Sequence, residues 1–292
     1  MNTFSLRGKT ILITGASSGI GAGCCILLSR QGADIILVGR DTARLSGVLK
    51  ELEPGDHSVL SIDLADIEDI ETELLPVLEK YKKITGSKIK VISQVAPNMD
   101  NNDYFAEINR AMDHGADILQ IQGNHCDWLV KGNKIDVIQK MMDKIRSQRY
   151  TAGLAAHSIE SIIACEENGI IPDYYMKTMH HDQYWSAHPR EYRFPFEVDG
   201  KEYLDHNRFH NNMFCLFPER TVEFVNKAKV PVMGYKVLAA GAIEPKDGFK
   251  WAFENGADFI CVGMFDFQIV RDVNICMETL SNLNNRKREW YG

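Results

Sequence analysis

Short apolar runs alternate along almost the whole chain with longer stretches that mix apolar and polar residues. The runs are mostly continuous, which is typical of strands that helices cover on both faces. The stretches between them carry helical periodicity, as in Asp136–Ser147 and Pro245–Glu254. The pattern therefore predicts an α/β protein of repeated βα units. Nine strands are predicted: Lys9–Thr14, Asp34–Gly39, Ser58–Asp63, Ile89–Val95, Asp117–Gln122, Thr151–Ala156, Tyr174–Met179, Val232–Leu238 and Phe259–Gly263.

A three-residue signature precedes three of these strands. Gly-Ala-Asp followed by apolar residues begins at Gly32, Gly115 and Gly256. Glycine commonly ends a helix in a left-handed conformation before the chain enters the next element. The signature therefore supports a parallel βα architecture.

Two segments interrupt the regular pattern. Tyr81–Lys88 is polar and basic, so we predict a boundary between segments 1–84 and 85–292. Residues 183–218 are too many for an ordinary βα connection. We interpret them as a lid over a site, with a peripheral or oligomer-contact insertion as the alternative. Within them, Phe196–Tyr203 predicts a hairpin with an Asp-Gly turn, and the basic C-terminus after Asn285 predicts a solvated tail.

The composition of the chain limits the classes of partner that we expect it to bind. The 292 residues are 45% hydrophobic with a net charge of −7, which argues against nucleic acid. No apolar run is long enough to span a membrane, and the first residues lack the core of a signal peptide. Seven cysteines occur without a C-x-x-C pair, so neither a disulfide framework nor a cysteine-rich zinc site is indicated. We expect a cytoplasmic protein with no membrane partner.

A glycine-rich stretch, Thr14–Gly21, links the first strand to an apolar helical pattern and is called the glycine turn below. Glycines let the backbone turn sharply and approach a ligand closely. The helix that follows offers N–H groups and a partial positive charge, which suit a pyrophosphate. The predicted binding residues are Gly15, Ser17, Ser18, Gly19, Ile20 and Gly21.

Residues 1 to about 81 resemble the opening of a short-chain dehydrogenase/reductase. The resemblance rests on Leu6-Arg7-Gly8-Lys9, the glycine turn, Arg40 and the pair Asp63-Leu64. It implies a Rossmann-like fold in which Asp63 and Leu64 lie against the adenine. Arg40 suits a 2′-phosphate and favours NADP, whereas Asp41 keeps NAD compatible. The implied function is an NADP-dependent oxidoreductase that acts on a small-molecule carbonyl substrate.

The chain departs from that family after the third strand. The fourth strand ends Gln94-Val95-Ala96-Pro97, where the family has an Asn-Asn-Ala-Gly-like sequence. The family's Tyr-x-x-x-Lys is absent, since Tyr174-Tyr175-Met176-Lys177 has the wrong spacing. The resemblance thus implies a dinucleotide half-site without the family's proton-transfer residues.

The second segment carries six βα units with reactive side chains at strand ends, namely His157, Lys177, His180, His181 and Lys236. In a (β/α)8 barrel the active site lies at that face. The segment resembles the later part of an aldolase-type TIM barrel, including uncharacterised microbial barrel proteins. The chain is thus interpreted as a hybrid of a Rossmann-like half and a (β/α)8-barrel-like portion.

Lys177 and Lys236 suggest an alternative function. A lysine in an apolar strand is expected to face the barrel lumen, because burial against helices costs desolvation energy. Two neighbouring ammonium groups lower the pKa of one of them, which makes a nucleophilic amine. The sequence around them is similar to the deoxyribose-phosphate aldolase type, which implies Lys177 as imine former and Lys236 as its neighbour. A Schiff-base lyase is therefore the alternative, and a lysine pair that binds an anion without covalent chemistry is a second.

The remaining candidate site residues lie in two loops and in a pair of histidines. Gly241, Ala242 and Gly263 follow the last two strands, where loops often bind phosphate, so a phosphorylated substrate is predicted unless they are only turn residues. One of His180 or His181 is expected to act in acid–base chemistry. Adjacent histidines alternate across a strand, so no metal site is predicted. A non-catalytic hybrid with both sites incomplete remains a further alternative.

Overall fold

The computed structural model describes residues 5–62, 75–86, 88–198, 215–264 and 266–291. It divides into two compact units, Met1–Ile89 and Lys90–Gly292. The sequence placed the boundary between 84 and 85, inside a basic stretch that the structure shows to be the end of helix α3 (Leu75–Thr85). Lys82 and Lys83 occupy the last turn of that helix, where positive charge interacts favourably with the helix dipole.

The first unit is a three-stranded parallel sheet with helices between the strands. Its strands β1 (Thr10–Thr14), β2 (Asp34–Gly39) and β3 (Ser58–Ser61) lie in the order β1-β2-β3. Helices α1 (Gly19–Arg30) and α2 (Thr42–Leu49) make the crossovers. Side chains of both strands and helices share one buried core, which includes Ile13, Cys25, Ile35, Leu37 and Leu45. This order is that of the first half of a doubly wound sheet.

The second unit contains a six-stranded parallel sheet whose strands follow one another in chain order. A short antiparallel ladder of β8 (Arg193–Phe194) and β9 (Glu197–Val198) stands apart from it. The six strands are β4 (Ile92–Val95), β5 (Ile118–Ile121), β6 (Thr151–Ala156), β7 (Tyr174–Thr178), β10 (Val232–Tyr235) and β11 (Phe259–Cys261). The helices are α4 (Ala106–Asp113), α5 (Gly123–Lys131), α6 (Ile135–Ser147), α7 (Ile159–Glu167), α8 (Pro218–Lys227), α9 (Pro245–Glu254) and α10 (Ile269–Ser281).

The two faces of the six-stranded sheet differ. One face packs its strand residues against all the helices in a large core, for example Leu119 and Tyr175 with Met141 and Phe249. The other face carries a small cluster of strand residues around Tyr174 and Met176. Among the described residues, helices therefore pack against one face of this sheet, whereas the sequence predicted helices on both faces.

The prediction of parallel βα units is confirmed by these two sheets. All nine predicted strands are present, three in the first sheet and six in the second. The expectation of a (β/α)8-barrel-like portion is corrected in one respect. Across the described residues the second sheet is an open series that begins with β4 and ends with β11, and it is not a closed ring of eight.

The aspartate of the Gly-Ala-Asp signature joins neighbouring strands. Asp117 accepts a hydrogen bond from the Val91 N–H at 2.9 Å, just before β4, and Asp258 accepts one from Val232 at 2.8 Å, at the start of β10. Asp34 accepts from the Asp56 N–H at 2.8 Å, shortly before β3. The three glycines of the signature have φ between 81° and 105°, which confirms the predicted left-handed helix ends. The signature thus fixes the starting points of adjacent strands.

The C-terminus is held in place, so the prediction of a solvated tail is wrong. Arg286 and Arg288 make ion pairs of 2.6 and 3.1 Å with Asp258, and all three side chains are buried. The Arg286 guanidinium also stacks 3.7 Å from the ring centre of Trp290. The positive charges that suggested a solvated tail instead satisfy a buried carboxylate.

Two local predictions differ from the structure. Strand β10 ends at Tyr235 and not at Leu238, because Lys236 leaves the extended region with a φ of 56°. The described hairpin pairs Arg193 with Val198 and turns at residues 195–196, whereas the predicted Asp-Gly turn lies outside the described residues.

Within the described parts of the chain, every helix is too short or too polar to cross a lipid bilayer.

Candidate functional site

The glycine turn has the shape of a phosphate cradle. Gly15 and Gly19 have φ values of 65° and 56°, a region that residues with a side chain rarely adopt. A Cβ at Gly21 would lie 2.3 Å from the Gly15 carbonyl oxygen, so only glycine lets α1 approach the turn this closely. Above Gly15 and Gly19 the space is open: apart from the adjoining chain, no atom of the described residues lies within 4 Å of an added Cβ. A ligand can therefore approach the backbone there.

The N-terminus of α1 faces this cradle. Ser18 is the N-cap residue, with an extended backbone and no hydrogen bond from its side chain to the helix. The first-turn N–H groups, including those of Ile20 and Gly21, are therefore not capped by the Ser18 side chain. Such groups and the helix dipole attract an anion. Ser17 Oγ lies beside Gly39, 3.6 Å from where a Cβ would be, so the turn adjoins the end of β2.

Basic residues follow the end of β2. Arg40 is exposed directly after Gly39. Asp41 caps α2 by accepting from the Arg44 N–H at 3.0 Å, and its other oxygen lies 3.2 Å from the Arg44 guanidinium. The carboxylate that kept NAD compatible is thus engaged within the protein. Asp63 and Leu64, the predicted adenine contacts, lie outside the described residues.

Lys177 lies in β7, but it lies on the opposite face of the sheet from the one that the sequence predicted. It is in register with Ala156 and Gly234, and registered neighbours point to the same face. Ala156 belongs to the core shared with the helices, so Lys177 starts from the helix-covered face and not from the opposite one. Its side chain is 1% exposed, and Nζ donates to the carbonyl oxygens of His157 at 2.6 Å and Thr178 at 2.8 Å. These carbonyls offset the desolvation cost that the sequence argument treated as prohibitive.

His157 follows β6 and is oriented by Asp127, a residue that the sequence analysis missed. Asp127 Oδ2 lies 3.0 Å from both the backbone N and the ring Nδ1 of His157. Its other oxygen accepts hydrogen bonds from Ser161 Oγ at 2.5 Å and the Ser158 N–H at 3.2 Å. Asp127 comes from α5, directly after β5, and the polar run Gln122–Asp127 was the signal that could have found it. Asp127 and His157 form an oriented acid–base pair.

Burial lowers the pKa of His157, while its hydrogen bond to Asp127 raises it and the charge of Lys236 lowers it further. The unfolded chain therefore binds more protons than the folded chain below about pH 6.5. We expect wild type to lose stability relative to His157→Gln as pH falls from 7.5 to 5.5, by up to about 1.4 kcal/mol over this range. Urea unfolding at the two pH values measures this difference. Equal pH dependence of the two proteins would contradict the direction of the shift.

Lys236 lines a cavity of about 750 Å³ at the ends of β10 and β11. Its Nζ lies 5.7 Å from the ring centre of Tyr235, and the His157 ring lies 5.5 Å from the same ring. Partial burial lowers the pKa of Lys236, and the charge of Lys177 lowers it further. His157 and Lys236 therefore both lie beside the Tyr235 ring, and the charge of Lys177 acts on both of them. Catalytic roles for these three residues stay predictions.

Two of the three predicted phosphate residues border the same cavity. Gly241 and Gly263 line it, and Ala242 follows Gly241 in the loop after β10. Arg271 and Asp272 of α10 complete the wall, and neither was singled out from the sequence. Phosphate binding by the three loop residues stays a prediction.

His180 and His181 differ in their surroundings. His180 is buried, its Nδ1 lies 2.8 Å from the His181 carbonyl oxygen, and its Nε2 accepts from the Cys215 N–H at 2.9 Å. Both nitrogens of His180 are thus engaged within the protein. His181 is partly exposed beside Trp251, with ring centres 6.0 Å apart, and accepts from the Gln183 N–H. Acid–base roles for these two histidines stay predictions.

Two arginines, Arg190 and Arg193, hold the described part of segment 183–218 by hydrogen bonds to Asp182 and Leu216. Asp182 accepts from Arg190 and Arg193, each at 2.8 Å, and Arg193 also donates to the Leu216 carbonyl oxygen at 3.0 Å. Arg190 contacts Glu219 at the start of α8. These contacts fix the base of the segment, and its role as a lid stays a prediction.

Comparisons with known proteins concern mainly the N-terminal part. The family model for short chain dehydrogenases matches residues 9–99. An uncharacterised oxidoreductase of Staphylococcus saprophyticus is 37% identical over 81 residues, which cover 28% of this chain and 34% of the relative. A 3beta-hydroxysteroid dehydrogenase of Mediterraneibacter gnavus is 27% identical over 107 residues, which cover 35% and 39%. A crystal structure of a 3-oxoacyl (acyl-carrier-protein) reductase from Agrobacterium tumefaciens C58 with NADP bound is 18% identical, covers 57% of this chain and 77% of its own, and has a TM-score of 0.23.

The chain spans 34% and 39% of the length of these two curated relatives. The match over residues 9–99 coincides with the part of the chain that contains the β1-β2-β3 sheet, the glycine turn and β4. The N-terminal part of the chain therefore carries a short chain dehydrogenase segment with a Rossmann-like fold.

Proposed function

We propose that the chain is an NADP-dependent oxidoreductase that binds its dinucleotide at the glycine turn. The observation that carries the proposal is the open space over Gly15 and Gly19 beside the N-terminus of α1. A pyrophosphate there would meet backbone N–H groups and the positive end of the helix dipole. The relatives matched by the same segment are named as an oxidoreductase and a hydroxysteroid dehydrogenase, which supports hydride transfer as the chemistry.

The charges after β2 support NADP over NAD. Arg40 and Arg44 supply two guanidinium groups at this strand end, and Asp41 is already engaged by Arg44. A guanidinium pairs well with a 2′-phosphate, whereas NAD selectivity usually needs a carboxylate that accepts from the ribose hydroxyls. We infer that Arg40 holds the 2′-phosphate and that NAD binds more weakly.

The bound nucleotide would supply a hydride to the carbonyl carbon of a small-molecule substrate. The residues of the first unit bind and orient it: the first turn of α1 holds the pyrophosphate, and Gly15 allows its close approach. The sequence lacks the family's Tyr-x-x-x-Lys. The proposal therefore assigns nucleotide binding to named residues and leaves the family's proton donor out of the mechanism.

We further infer that the second unit is related to the wall of an aldolase-type TIM barrel. Strands in chain order with helices on one face support this relation. A carbonyl or phosphorylated small molecule is the proposed substrate class, and a homo-oligomer is compatible with it. We also infer a cytoplasmic location, supported by a sequence whose seven cysteines include no C-x-x-C pair.

A nucleotide titration tests the proposed function. Gly19→Val is expected to weaken NADPH binding at least about tenfold, because a branched side chain both strains this left-handed position and fills the cradle. Gly23→Val is the matched control, since Gly23 lies on the same helix with ordinary φ and open space around it. Fluorescence titration with NADPH and with NADH gives both affinity and preference. Absence of NADPH binding by wild type, or equal binding by the Gly19 variant, would overturn the proposal.

A further inference from the structure

We propose that the cavity at the ends of β10 and β11 binds a zwitterionic amino acid with a large apolar side chain, held by Asp272 and Arg271. Asp272 accepts the ammonium group of the ligand, and Arg271 binds its carboxylate. Every residue that lines the cavity belongs to the unit Lys90–Gly292. The site is therefore independent of the glycine turn, and failure of either proposal leaves the other standing.

Asp272 is a buried carboxylate on the cavity wall. It lies in the first turn of α10, lines the cavity and is 3% exposed. Its Oδ1 has no hydrogen-bond partner among the described residues. Buried carboxylates are normally paired with a donor or a positive charge, because a buried oxygen without one costs free energy. The unsatisfied oxygen therefore indicates a ligand that donates a hydrogen bond at this point.

An ammonium group suits Asp272 better than a neutral donor does. A hydroxyl satisfies the hydrogen bond but leaves the buried charge uncompensated, whereas an ammonium group supplies both N–H donors and the opposite charge. Arg271 does not fill this role, because consecutive residues of a helix do not face each other. Its guanidinium lies instead beside Glu244. The ligand therefore brings the positive charge that Asp272 needs.

Arg271 places a guanidinium at the mouth of the cavity. Its side chain is 63% exposed, and its Nη2 lies 3.8 Å from Oε2 of Glu244, whose side chain is 78% exposed. An ion pair this long and this exposed contributes little, so a ligand carboxylate can compete for the guanidinium with bidentate hydrogen bonds. The buried Asp272 and the exposed Arg271 thus orient the ligand, with its ammonium group inward and its carboxylate outward.

Much of the remaining wall is apolar. The cavity has a volume of about 750 Å³, which lies in the range of small-molecule sites. Its apolar residues come from the end of β10 and from the loops after β10 and β11, namely Tyr235, Val237, Leu238, Ile243, Val262 and Met264. Burial of an apolar side chain against them adds to the affinity. A large apolar amino acid therefore fits the wall better than a small one.

The loop after β10 is fixed by close packing against α9. A Cβ at Gly248 of α9 would lie 2.7 Å from the Val237 carbonyl oxygen and 2.8 Å from the Leu238 side chain. Ala240, on the cavity wall, has a φ of 57° although it carries a Cβ. Such positions are costly and cluster at functional sites. The wall is thus preformed, which reduces the cost of ordering it when a ligand binds.

The charges of the wall disfavour ligands that carry only one sign. A purely anionic ligand, including a simple phosphate ester, leaves the buried charge of Asp272 uncompensated. A purely cationic ligand meets Arg271 and also Lys236, which lines the same cavity. Selectivity of this kind comes from repulsion of the wrong ligand as well as attraction of the right one. The phosphorylated ligand that the sequence predicted for these loops is the competing outcome of the test.

Calorimetric titration of the full chain with a matched ligand series tests the proposal. L-phenylalanine carries both charges and the apolar group, whereas 3-phenylpropanoate lacks the ammonium group, 2-phenylethylamine lacks the carboxylate and glycine lacks the apolar group. We expect L-phenylalanine to bind at least about tenfold more tightly than each of the other three. Equal binding of 3-phenylpropanoate, or tighter binding of glycerol 1-phosphate than of L-phenylalanine, would overturn the proposal.

Two variants assign the charges to their residues. Asp272→Asn should weaken L-phenylalanine binding at least about tenfold without weakening 3-phenylpropanoate binding. Arg271→Gln should weaken L-phenylalanine binding without weakening 2-phenylethylamine binding. Asp143→Asn in α6 and Lys250→Gln in α9 are the matched controls, because they make comparable changes at exposed positions outside the cavity wall. Loss of binding in a control, or no loss in either test variant, contradicts the assignment.

Thermal unfolding of Asp272→Asn gives a second readout that does not depend on binding. The amide keeps the shape of the side chain and removes a buried charge that no described residue neutralises at Oδ1. Without ligand, the variant should therefore unfold at the same temperature as wild type or at a higher one. Saturating L-phenylalanine should raise the unfolding temperature of wild type but not of the variant. A lower unfolding temperature of the unliganded variant would show that the carboxylate serves the fold and not a ligand.

Discussion

Replacing Asp258 by alanine is expected to lower the free energy of unfolding by about 3–5 kcal/mol, because it leaves two buried guanidinium groups without their carboxylate. Asp258 is 1% exposed, and its partners Arg286 and Arg288 are 9% and 8% exposed. The same carboxylate accepts hydrogen bonds from the N–H groups of Val232 and Tyr291. One substitution therefore removes the link between the start of β10 and the C-terminus.

Urea unfolding of the full chain, followed by circular dichroism, measures this effect. Asp136→Ala is the matched control, because it also removes one aspartate from an ion pair, here an exposed pair with Lys140 at 2.8 Å. Surface pairs of this kind contribute little, so the urea midpoint should hardly move. Similar midpoints for the two variants would show that the Asp258 cluster does not carry the expected energy.

Replacing Gly21 by alanine is expected to destabilise the first unit by about 3 kcal/mol and to abolish NADPH binding, because the new methyl group overlaps backbone. The added Cβ would lie 2.3 Å from the Gly15 carbonyl oxygen and 2.6 Å from its carbon. Neither atom belongs to a flexible side chain, so α1 or the turn itself must move. The cradle would then lose the geometry that the nucleotide needs.

Gly23→Ala tests whether the effect comes from this contact or from helix propensity. Gly23 is two residues further along α1, and a Cβ there meets nothing within 4 Å. Alanine is the better helix former by about 1 kcal/mol, so this variant should be as stable as wild type or more stable. Thermal unfolding and NADPH titration of both variants supply the comparison. A Gly21 variant that binds NADPH like the Gly23 variant would contradict the steric argument.

Local patterns were enough to predict most of the fold. Strands β2 and β6 and helix α9 have the predicted bounds, because apolar runs bordered by glycine, proline or charge define them. Strand β10 ends before the apolar run that predicted it. Val237 belongs to that run and is buried, although it lies beyond the end of the strand. Burial alone therefore does not distinguish a strand from the turn that follows it.

The site was predictable where its geometry is local. The glycine turn is encoded within eight residues, so the sequence analysis found it. Asp127 was missed because its role depends on His157, thirty residues further along the chain. The face of Lys177 was also wrong, since a continuous apolar strand does not reveal which side chains face the helices. The C-terminal arginines were misjudged for the same reason, because Asp258 is distant in sequence.

The pairing of β4 decides where the N-terminal part of this chain can be replaced by that of another protein. The family match extends to residue 99 and so includes β4, yet β4 pairs with β5 in the six-stranded sheet of the second unit. Replacing residues 9–99 by the equivalent piece of another dehydrogenase would exchange β4 for a foreign strand, and failure of that strand to pair would expose the backbone of β5. An uncovered strand edge promotes aggregation. A chimera should instead be joined between Ile89 and Lys90, because the two compact units of the structure meet there in the sequence. The end of the family match at residue 99 is not a suitable junction.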